Sequence, residues 1–317
     1  MPSDDNVYRI DLLQEIEWLD KKTNRMRVKL TPNPERYDWK IIGGKNYLCD
    51  KFENITIPEE VYHKILLDMK GKGIYWVRSS IDSNLKYIEE RIPKIKNFLE
   101  SSSSDYEFKD KSEEFLNALP IKEMTFVILC IDLKGSTHMS QELSPPDNAK
   151  IIELFLKEMA LIVAAYHGYV LKYVGDGLIA YFPEPNYLGM EDAAVDCAAS
   201  MKFIIERAIN PMLIEKSLPA LQFRIGLDSG KAIISTVGSI STKQHKDLIG
   251  LTINFAAKIQ GMAKENGIVI GESVKKQIHT TRKVLFEKYD PANWDYKVAK
   301  ENSTYHLYSL MDGIAPY

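Results

Sequence analysis

The chain of 317 residues is 45% hydrophobic and 27% charged, a composition typical of a soluble globular protein with about two domains. Its formal net charge of −3 disfavours nucleic acid and anionic membranes as partners, because bulk charge predicts no basic surface. The cysteines Cys49, Cys130 and Cys197 are odd in number and far apart, and no leader or bilayer-length apolar run occurs, so we expect a cytoplasmic protein without disulfides.

The first hundred residues predict a smaller mixed α/β region. The sequence IPEE from Ile57 indicates a helix start, with proline at the first position and acids in the first turn, and the helix would run to about Met69 between strands. We assign residues 1–100 to a regulatory or dimerisation region. Residues 101–121 are assigned to a linker, because their serine-rich and acidic beginning has too few apolar residues for a core.

An apolar stripe precedes this linker. Its members are Ile81, Leu85, Ile88, Ile92, Ile95 and Leu99. The alternating spacing of four and three forms a heptad seam, which could pair two chains in a coiled coil. Pro93 argues against an unbroken helix, and a stripe of this length is more often a helix packed on its own domain, so both interpretations stay open.

Strand and helix patterns alternate after Thr125. The predicted elements are a strand through Ile131, a helix from about Asn148 to His167, a hairpin with its tip at Asp176, a helix from about Glu191 to Ile209, a second hairpin of Leu221–Asp228 and Ala232–Val237, and a helix from about Leu251 to Lys264. The order β-α-β-β-α-β predicts an α+β domain over residues 122–317. We expect a ferredoxin-like split βαβ fold, with an antiparallel sheet and helices on one face.

Two strands of this domain each carry a carboxylate where the strand ends. Asp132 follows the apolar run FVILCI, and Asp176 follows LKYVG. Two such carboxylates on neighbouring strands can hold two Mg²⁺ ions about 3.5–4 Å apart for phosphoryl transfer. Simpler interpretations exist for each residue, since Asp176 could be only the tip of an Asp-Gly hairpin and Asp132 could cap the turn at Gly135.

Four motifs in this order resemble the catalytic domain of class III nucleotide cyclases, closest to the adenylate cyclase pattern, from about Thr125 to Leu310. They are IDLKGST with Asp132, KYVGDG with Asp176, FRIGLDSG with Arg224, and DLIGLTIN from Asp247 to Asn254. The resemblance implies a homodimer whose active sites are shared between subunits. Each site would convert a nucleoside triphosphate into a 3′,5′-cyclic monophosphate and pyrophosphate.

The resemblance also implies a metal site. Asp132 and Asp176 would hold two Mg²⁺ or Mn²⁺ ions, with the carbonyl of Leu133 as a further contact. Such ions would activate the ribose 3′-hydroxyl and neutralise the charge on the departing pyrophosphate, so no protein nucleophile is needed.

Several residues would meet the triphosphate. Ser136 and Thr137 open a turn whose backbone N–H groups and hydroxyls suit phosphate oxygens, although an ordinary capping turn explains each of them equally well. Arg224 matches a triphosphate-binding arginine of the family, whereas in isolation it would be an exposed strand residue. Lys300 is a weak candidate for a further phosphate contact, and a solvated surface lysine is its commoner interpretation.

Base selection would rest on Lys172 and Asp247. A lysine donor beside an aspartate acceptor complements the N1 acceptor and the N6 amino donor of adenine, and ATP is therefore favoured. Guanine would set its N1–H donor against the lysine and its O6 acceptor against the aspartate. Each buried polar group left unpaired would cost about 1–3 kcal/mol. The alternatives are an exposed strand lysine and a helix-capping acid.

Asn254 and Lys258 lie four apart and would share one face of a helix. The resemblance implies that Asn254 orients the ribose. At the position of Lys258 the family usually carries an arginine that stabilises transition-state charge, so this residue departs from the pattern. A lysine keeps the charge but loses the planar bidentate fork.

The leading interpretation is an adenylate cyclase that acts as a homodimer and is regulated through an unidentified ligand or protein of the N-terminal region. A pyrimidine nucleotide cyclase of an anti-phage signalling system shares the fold and both aspartates, but its smaller base would not reach both Lys172 and Asp247. A catalytically weakened regulatory module that binds nucleotide is the third possibility, supported by Lys258 alone and opposed by the two intact carboxylates.

Overall fold

The computed structural model describes residues 10, 12–20, 25–52, 55–69, 79–100, 111–183, 189–238, 244–297 and 303–312. The chain divides into two compact units. One consists of residues 1–74 with 279–281, and the other of residues 75–278 with 282–317. Lys300 and residues 101–110 of the predicted linker lie outside the described residues, whereas residues 112–118 of that linker form a helix.

The N-terminal unit contains strands β1 to β5 and helix α1, which are Leu12–Asp20, Arg25–Pro32, Tyr37–Ile42, Lys45–Asp50, Thr56–Pro58 and Glu59–Met69. Strands β1 and β2 form one antiparallel pair, and β3, β4 and β5 form a separate antiparallel sheet in that order. Leu48, Ile57 and Tyr62 are buried together in a small core. The predicted helix and the strands before it are confirmed.

The remaining elements follow in chain order. They are α2 (Asn84–Glu100), α3 (Ser112–Ala118), β6 (Glu123–Lys134), α4 (Ser136–Glu142), α5 (Pro145–Ala165), β7 (Tyr169–Val174), β8 (Gly177–Pro183), α6 (Met190–Ile204) with a π-helical turn (Ile205–Ile209), α7 (Asn210–Glu215), β9 (Gln222–Val237), β10 (His245–Ile249), α8 (Leu251–Met262), β11 (Gly267–Gly271), α9 (Glu272–Gln277), α10 (Thr280–Lys283), β12 (Phe286–Tyr289) and β13 (Leu307–Leu310). Within the described ranges, no helix has the length and the apolar content needed to cross a membrane.

The central sheet has the strand order β12-β13-β11-β9-β6-β8-β7, with β10 paired to β9. Strand β6 is antiparallel to both β8 and β9, whereas β9 and β11 are parallel. Helix α5 connects β6 to β7, and α6 lies between β8 and β9. The predicted α+β fold of the split βαβ type is confirmed.

Strand β6 is buried on both faces. Leu129 and Ile131 belong to the core formed with α5 and α6, whereas Phe126 and Ile128 pack on the opposite side with Ala256 of α8. The prediction of helices on one face is therefore incomplete. A second layer forms because alternate residues of β6 are apolar in both directions, and such a strand needs cover on each side.

The predicted second hairpin is wrong, because β9 is a single continuous strand. Gly230 does not turn the chain but pairs with Phe126 in the ladder between β6 and β9. A Cβ atom at this position would lie 2.5 Å from Oγ1 of Thr252 in α8. The glycine is needed for the close approach of this helix, and a close approach leaves the same sequence signal as a turn.

The apolar stripe of α2 is covered by the chain's own helices. Ile88, Ile95 and Leu99 are buried in the core that contains α5 and α6, whereas Leu85 is 67% exposed. Helix α2 therefore lies in the second unit, although we assigned residues 1–100 to the N-terminal regulatory or dimerisation region from the sequence. The structure favours the interpretation of a helix packed on its own domain over the intermolecular coiled coil.

A buried ion pair joins α2 to α5. Arg91 donates from Nε to Glu158 Oε2 at 3.0 Å and from Nη2 to Glu158 Oε1 at 2.6 Å. The Glu158 side chain is fully buried, and that of Arg91 is 9% exposed. Loss of one partner would leave the other charge buried without this ion pair, which is far more costly than loss of a surface pair.

We therefore expect Arg91→Ala to lower the free energy of unfolding by about 3–5 kcal/mol. The matched control is Lys94→Ala, which removes a positive charge from an exposed position of the same helix and should change stability by about 0.5 kcal/mol or less. Urea denaturation followed by circular dichroism measures both. Equal stability of the two variants would contradict an integral role for α2.

Candidate active site

Asp132 and Asp176 meet at one edge of the central sheet. Asp132 lies near the end of β6, and Asp176 lies in the turn between β7 and β8. Gly177 follows this turn, and a Cβ atom there would lie 2.5 Å from the carbonyl oxygen of Ile131 and 3.2 Å from Asp132 Oδ1. The glycine thus lets the turn close against β6. Asp176 is a turn residue, in agreement with the simpler interpretation as a hairpin tip. Its carboxylate also faces that of Asp132.

The two carboxylates share a crowded environment. Burial raises the pKa of the Asp132 carboxyl, and the charge of Asp176 and a hydrogen bond with it raise this pKa further. Arg224 and the backbone N–H of Leu133 act in the opposite direction. Oδ2 of Asp176 is buried without a hydrogen-bond partner among the described residues. Two close carboxylates with an unsatisfied oxygen form a strongly electronegative site.

Arg224 lies opposite Asp132 in the register between β6 and β9. Its Nη2 is 3.9 Å from Asp132 Oδ2, and its Nη1 donates to the carbonyl of Gly261 in α8 at 3.4 Å. Both contacts are long, and Nε is buried without a hydrogen-bond partner in the described chain. The guanidinium is therefore only partly engaged and retains donor capacity beside the two carboxylates.

This donor set fits a hard divalent cation. Carboxylate oxygens are preferred ligands of Mg²⁺ and Mn²⁺, and the buried unpaired oxygen of Asp176 is a group that a cation would satisfy. No group of three or more His, Cys, Asp or Glu side chains among the described residues is arranged to hold a metal ion. A cation here would have incomplete protein coordination, as is usual for Mg²⁺ bound through one or two carboxylates and substrate phosphates.

The turn after β6 leads into α4. Gly135 has a φ of +77°, in the left-handed region that favours glycine. Ser136 begins the helix and lines a cavity of about 180 Å³, whereas Thr137 is exposed. Nζ of Lys134 is 2.7 Å from Glu265 Oε2 in an exposed ion pair that ties this turn to the segment after α8.

Lys172 and Asp247 form an ion pair although they are 75 positions apart. Nζ of Lys172, on β7, donates to Asp247 Oδ2, on β10, at 2.7 Å. The lysine side chain is 41% exposed and the aspartate side chain 17% exposed. A donor and an acceptor are thus presented side by side at an accessible position.

Asn254 and Lys258 are both exposed on α8, whereas Phe255 and Ile259 are buried, as the predicted helix face required. Nζ of Lys258 lies 5.1 Å from the ring centroid of Tyr296. Within the described chain, no hydrogen bond or ion pair joins this pair to Asp132 and Asp176 or to Lys172 and Asp247. Within one subunit, the predicted residues are therefore not joined to one another by direct bonds across these three groups.

Sequence reasoning overlooked Gly177 and Tyr296. Gly177 was visible in the sequence as the glycine directly after Asp176, but the hairpin interpretation already explained it as a turn residue. The second lies in the aromatic run WDY from Trp294 to Tyr296, far from every quoted motif. Only the fold brings this run to α8.

Residues 120–309 match the Adenylate and Guanylate cyclase catalytic domain, and the chain belongs to this family. An adenylate cyclase of Anabaena cylindrica is 28% identical over 172 residues, which are 51% of this chain and 32% of that protein. A cytidylate cyclase of Staphylococcus aureus is 28% identical over 178 residues, which are 52% of this chain and 40% of that protein. The matched part thus spans well under half of either relative.

Solved structures support the fold. The adenylyl cyclase CyaB of P. aeruginosa has a TM-score of 0.53 at 21% identity, covering 63% of this chain and all of the other. A guanylyl cyclase has a TM-score of 0.52 at 18% identity with the same coverage. At this level of identity the likeness extends to the fold alone.

The like-charge contact leads to a prediction on stability. A carboxyl with a raised folded-state pKa stabilises the fold below its ordinary pKa, and this contribution is lost as pH rises through the raised value. In EDTA at pH 7.5, Asp132→Asn should therefore raise the Tm, and the gain should shrink towards pH 4. Scanning calorimetry measures this, with exposed Asp312→Asn as the control. A lower Tm for Asp132→Asn at pH 7.5 would contradict the repulsion.

Proposed function

We propose that this protein is an adenylate cyclase that converts ATP to 3′,5′-cyclic AMP and pyrophosphate in a homodimer. The observation that carries the proposal is the meeting of Asp132, Asp176 and Arg224 at one sheet edge in a chain of the cyclase family. This arrangement combines an electronegative cation site with a partly engaged guanidinium. A triphosphate brought in with divalent cations needs both features.

In this proposal, Asp132 and Asp176 hold two Mg²⁺ or Mn²⁺ ions, and the carbonyl of Leu133 assists. Bound cations supply neutralisation of the triphosphate charge and a lower pKa for the ribose 3′-hydroxyl. Arg224 binds triphosphate oxygens, and Ser136 and Thr137 meet the β- and γ-phosphates at the start of α4. The substrate's own 3′-oxygen bonds to the α-phosphorus while the bond to pyrophosphate breaks, and the hydroxyl proton passes to water. No side chain has to act as a nucleophile.

Base selection follows from the ion pair of Lys172 with Asp247. With Lys172 facing the ring nitrogen and Asp247 facing the exocyclic group, guanine and uracil would set an N–H donor against the lysine and a carbonyl acceptor against the aspartate. Each polar group left unpaired would cost about 1–3 kcal/mol. Adenine and cytosine both present a ring-nitrogen acceptor beside an amino donor and therefore match the pair. The pair selects an amino-bearing base.

Ring size separates the two matching bases. A purine extends further from the ribose than a pyrimidine, so adenine reaches both groups where cytosine falls short, and ATP is the favoured substrate. Cytidylate cyclase activity is the second candidate, because cytosine has the matching edge and a cytidylate cyclase is among the relatives. A catalytically weakened regulatory module that binds nucleotide is the weakest candidate, since both carboxylates are present and close together.

Asn254 and Lys258 complete the site from the other subunit in this proposal. Asn254 would orient the ribose, and Lys258 would stabilise the charge that develops at the α-phosphate. Within the described chain, neither residue bonds to Asp132 or Asp176, and the family resemblance implies that they reach the carboxylates of a second subunit. In an isologous dimer each chain contributes both halves, and two equivalent sites arise. The region before about residue 120 would carry regulation.

The proposal is tested by incubating the purified protein with each of the four ribonucleoside triphosphates and Mn²⁺ and identifying the products by mass spectrometry. Cyclic AMP should predominate. Asp132→Ala or Asp176→Ala should reduce its formation at least a hundredfold, because several kcal/mol of transition-state stabilisation are lost. Exposed Asp312→Ala is the control. Cyclic CMP as the main product would establish the second candidate, and no cyclic product from any nucleotide would refute cyclase activity.

Shared sites predict complementation between inactive variants. Asp132→Ala and Asn254→Ala proteins damage opposite halves of the site, so each heterodimer should contain one intact site. Random exchange of equal amounts makes half of the dimers mixed, and about a quarter of wild-type activity should return. Differently tagged subunits and native mass spectrometry verify the exchange. Confirmed heterodimers without recovered activity would show that the sites lie within single chains.

A further inference from the structure

Lys258 lies against an aromatic ring. Its Nζ is 5.1 Å from the centroid of Tyr296, within the range of about 6 Å in which a cation is attracted by the face of a ring. Lys258 forms no ion pair with any residue in the described part of the chain. The ring of Tyr296 is therefore the group that restricts this ammonium.

Tyr296 is itself held by an aromatic cluster. Its ring lies 4.7 Å from that of Trp294 and 5.3 Å from that of Phe255, which is one helical turn before Lys258 on α8. The packing of Phe255 into this cluster therefore brings Lys258 over the ring of Tyr296.

Backbone contacts fix the same segment. The N–H of Tyr305 donates to the carbonyl of Tyr296 at 2.8 Å, and Nε1 of Trp294 donates to the carbonyl of Tyr305 at 2.7 Å. Lys297 and Thr304 form an antiparallel bridge beside these contacts. The hydroxyl of Tyr305 donates in turn to buried Asp228 at 2.5 Å. The ring is thus attached to the sheet through a short chain of defined contacts.

We propose that Tyr296 is a positioning residue for Lys258, and this inference rests on the proposed cyclase function. A guanidinium has a planar fork that fixes its own geometry on phosphate oxygens, whereas an ammonium on four methylenes does not. An aromatic face beneath the ammonium supplies this restriction from outside the side chain. Tyr296 would thereby compensate for lysine at a position where arginine is usual.

The kinetic test uses Tyr296→Leu, which removes the ring but keeps apolar bulk, and Tyr296→Phe, which keeps the ring. Tyr296→Leu should lower kcat about two- to fivefold, the value of an exposed cation–π contact, with KM for ATP unchanged. Tyr296→Phe should retain wild-type kcat. In a Lys258→Ala background, both substitutions should have no further effect, because the group that they position is missing.

A matched control lies on the same part of the molecule. Nζ of Lys264, just after α8, is 6.0 Å from the ring centroid of Tyr289. Tyr289→Leu removes this contact, and with it the hydrogen bond from the Tyr289 hydroxyl to the carbonyl of Met262, without touching Lys258, so kcat should stay at the wild-type value. Equal loss from Tyr289→Leu and Tyr296→Leu would mean that the ring contributes only packing, and it would overturn the proposal.

The contact itself is measured independently of activity. In protein labelled with ¹³Cε-lysine, the ring current of Tyr296 should shift the Lys258 ε-proton signal upfield. The signal is assigned by its absence from Lys258→Arg protein. It should return to the ordinary position in Tyr296→Leu and stay shifted in Tyr296→Phe, with the Lys264 signal unchanged.

The two assays separate the possible failures. An unshifted Lys258 signal in the active wild-type enzyme would overturn the positioning role and leave the cyclase function intact. A shifted signal together with an unchanged or higher kcat in Tyr296→Leu would show that the ring does not hold the ammonium for catalysis. A wild-type protein that forms no cyclic product would refute the proposed function, and the positioning role with it.

Discussion

The antiparallel register of β6 between β8 and β9 is the constraint on which the candidate site depends. It places Arg224 opposite Asp132, and it places Gly177 where the turn that carries Asp176 closes on β6. Side chains alternate along a strand, so a slip of one residue would turn Asp132 to the other face and remove Leu133 from the core that it occupies. The same alternation fills both cores. The register is therefore enforced by the apolar residues of β6, and the charged end of the strand is located as a consequence.

Because the apolar residues of β6 fix the register, the fold tolerates the repulsion between Asp132 and Asp176. Burial and the neighbouring charge of Asp176 raise the pKa of the Asp132 carboxyl and oppose folding at neutral pH. The strands that carry the two carboxylates are nevertheless held by fully buried residues such as Phe126 and Leu129. A buried core can sustain one unfavourable contact because its stabilisation is spread over many residues. Unfavourable electrostatics of this kind concentrate where a protein binds an opposite charge. The apolar residues of β6 thus stabilise the fold, whereas Asp132 near the end of the same strand destabilises it and forms part of the candidate site.

Several features could be predicted because their signal is local. The two carboxylates stood in motifs, the helix face of Asn254 and Lys258 followed from their spacing, and the order of strands and helices followed from periodicity. The hairpin predicted at Gly230 failed because a glycine that admits a helix has the same local sequence as a glycine that turns. The second helical layer and the covering of the α2 stripe depended on which apolar faces meet, and this is decided by residues far apart in the chain.

Tyr296 belongs to this non-local class, and in our proposal it supports Lys258 from a distant part of the chain. The planar guanidinium of arginine presents a fixed fork of N–H donors, so it is oriented on phosphate oxygens with little help from neighbouring residues. Lysine has the same charge without that plane, and its orientation then depends on neighbours. Tyr296 comes 38 positions after Lys258 in the printed sequence, and the backbone contacts of Tyr305 keep its ring beneath the ammonium. A motif comparison records only the exchange of one basic residue for another. The fold brings an aromatic segment outside every motif next to Lys258, and in our proposal this segment restricts the ammonium.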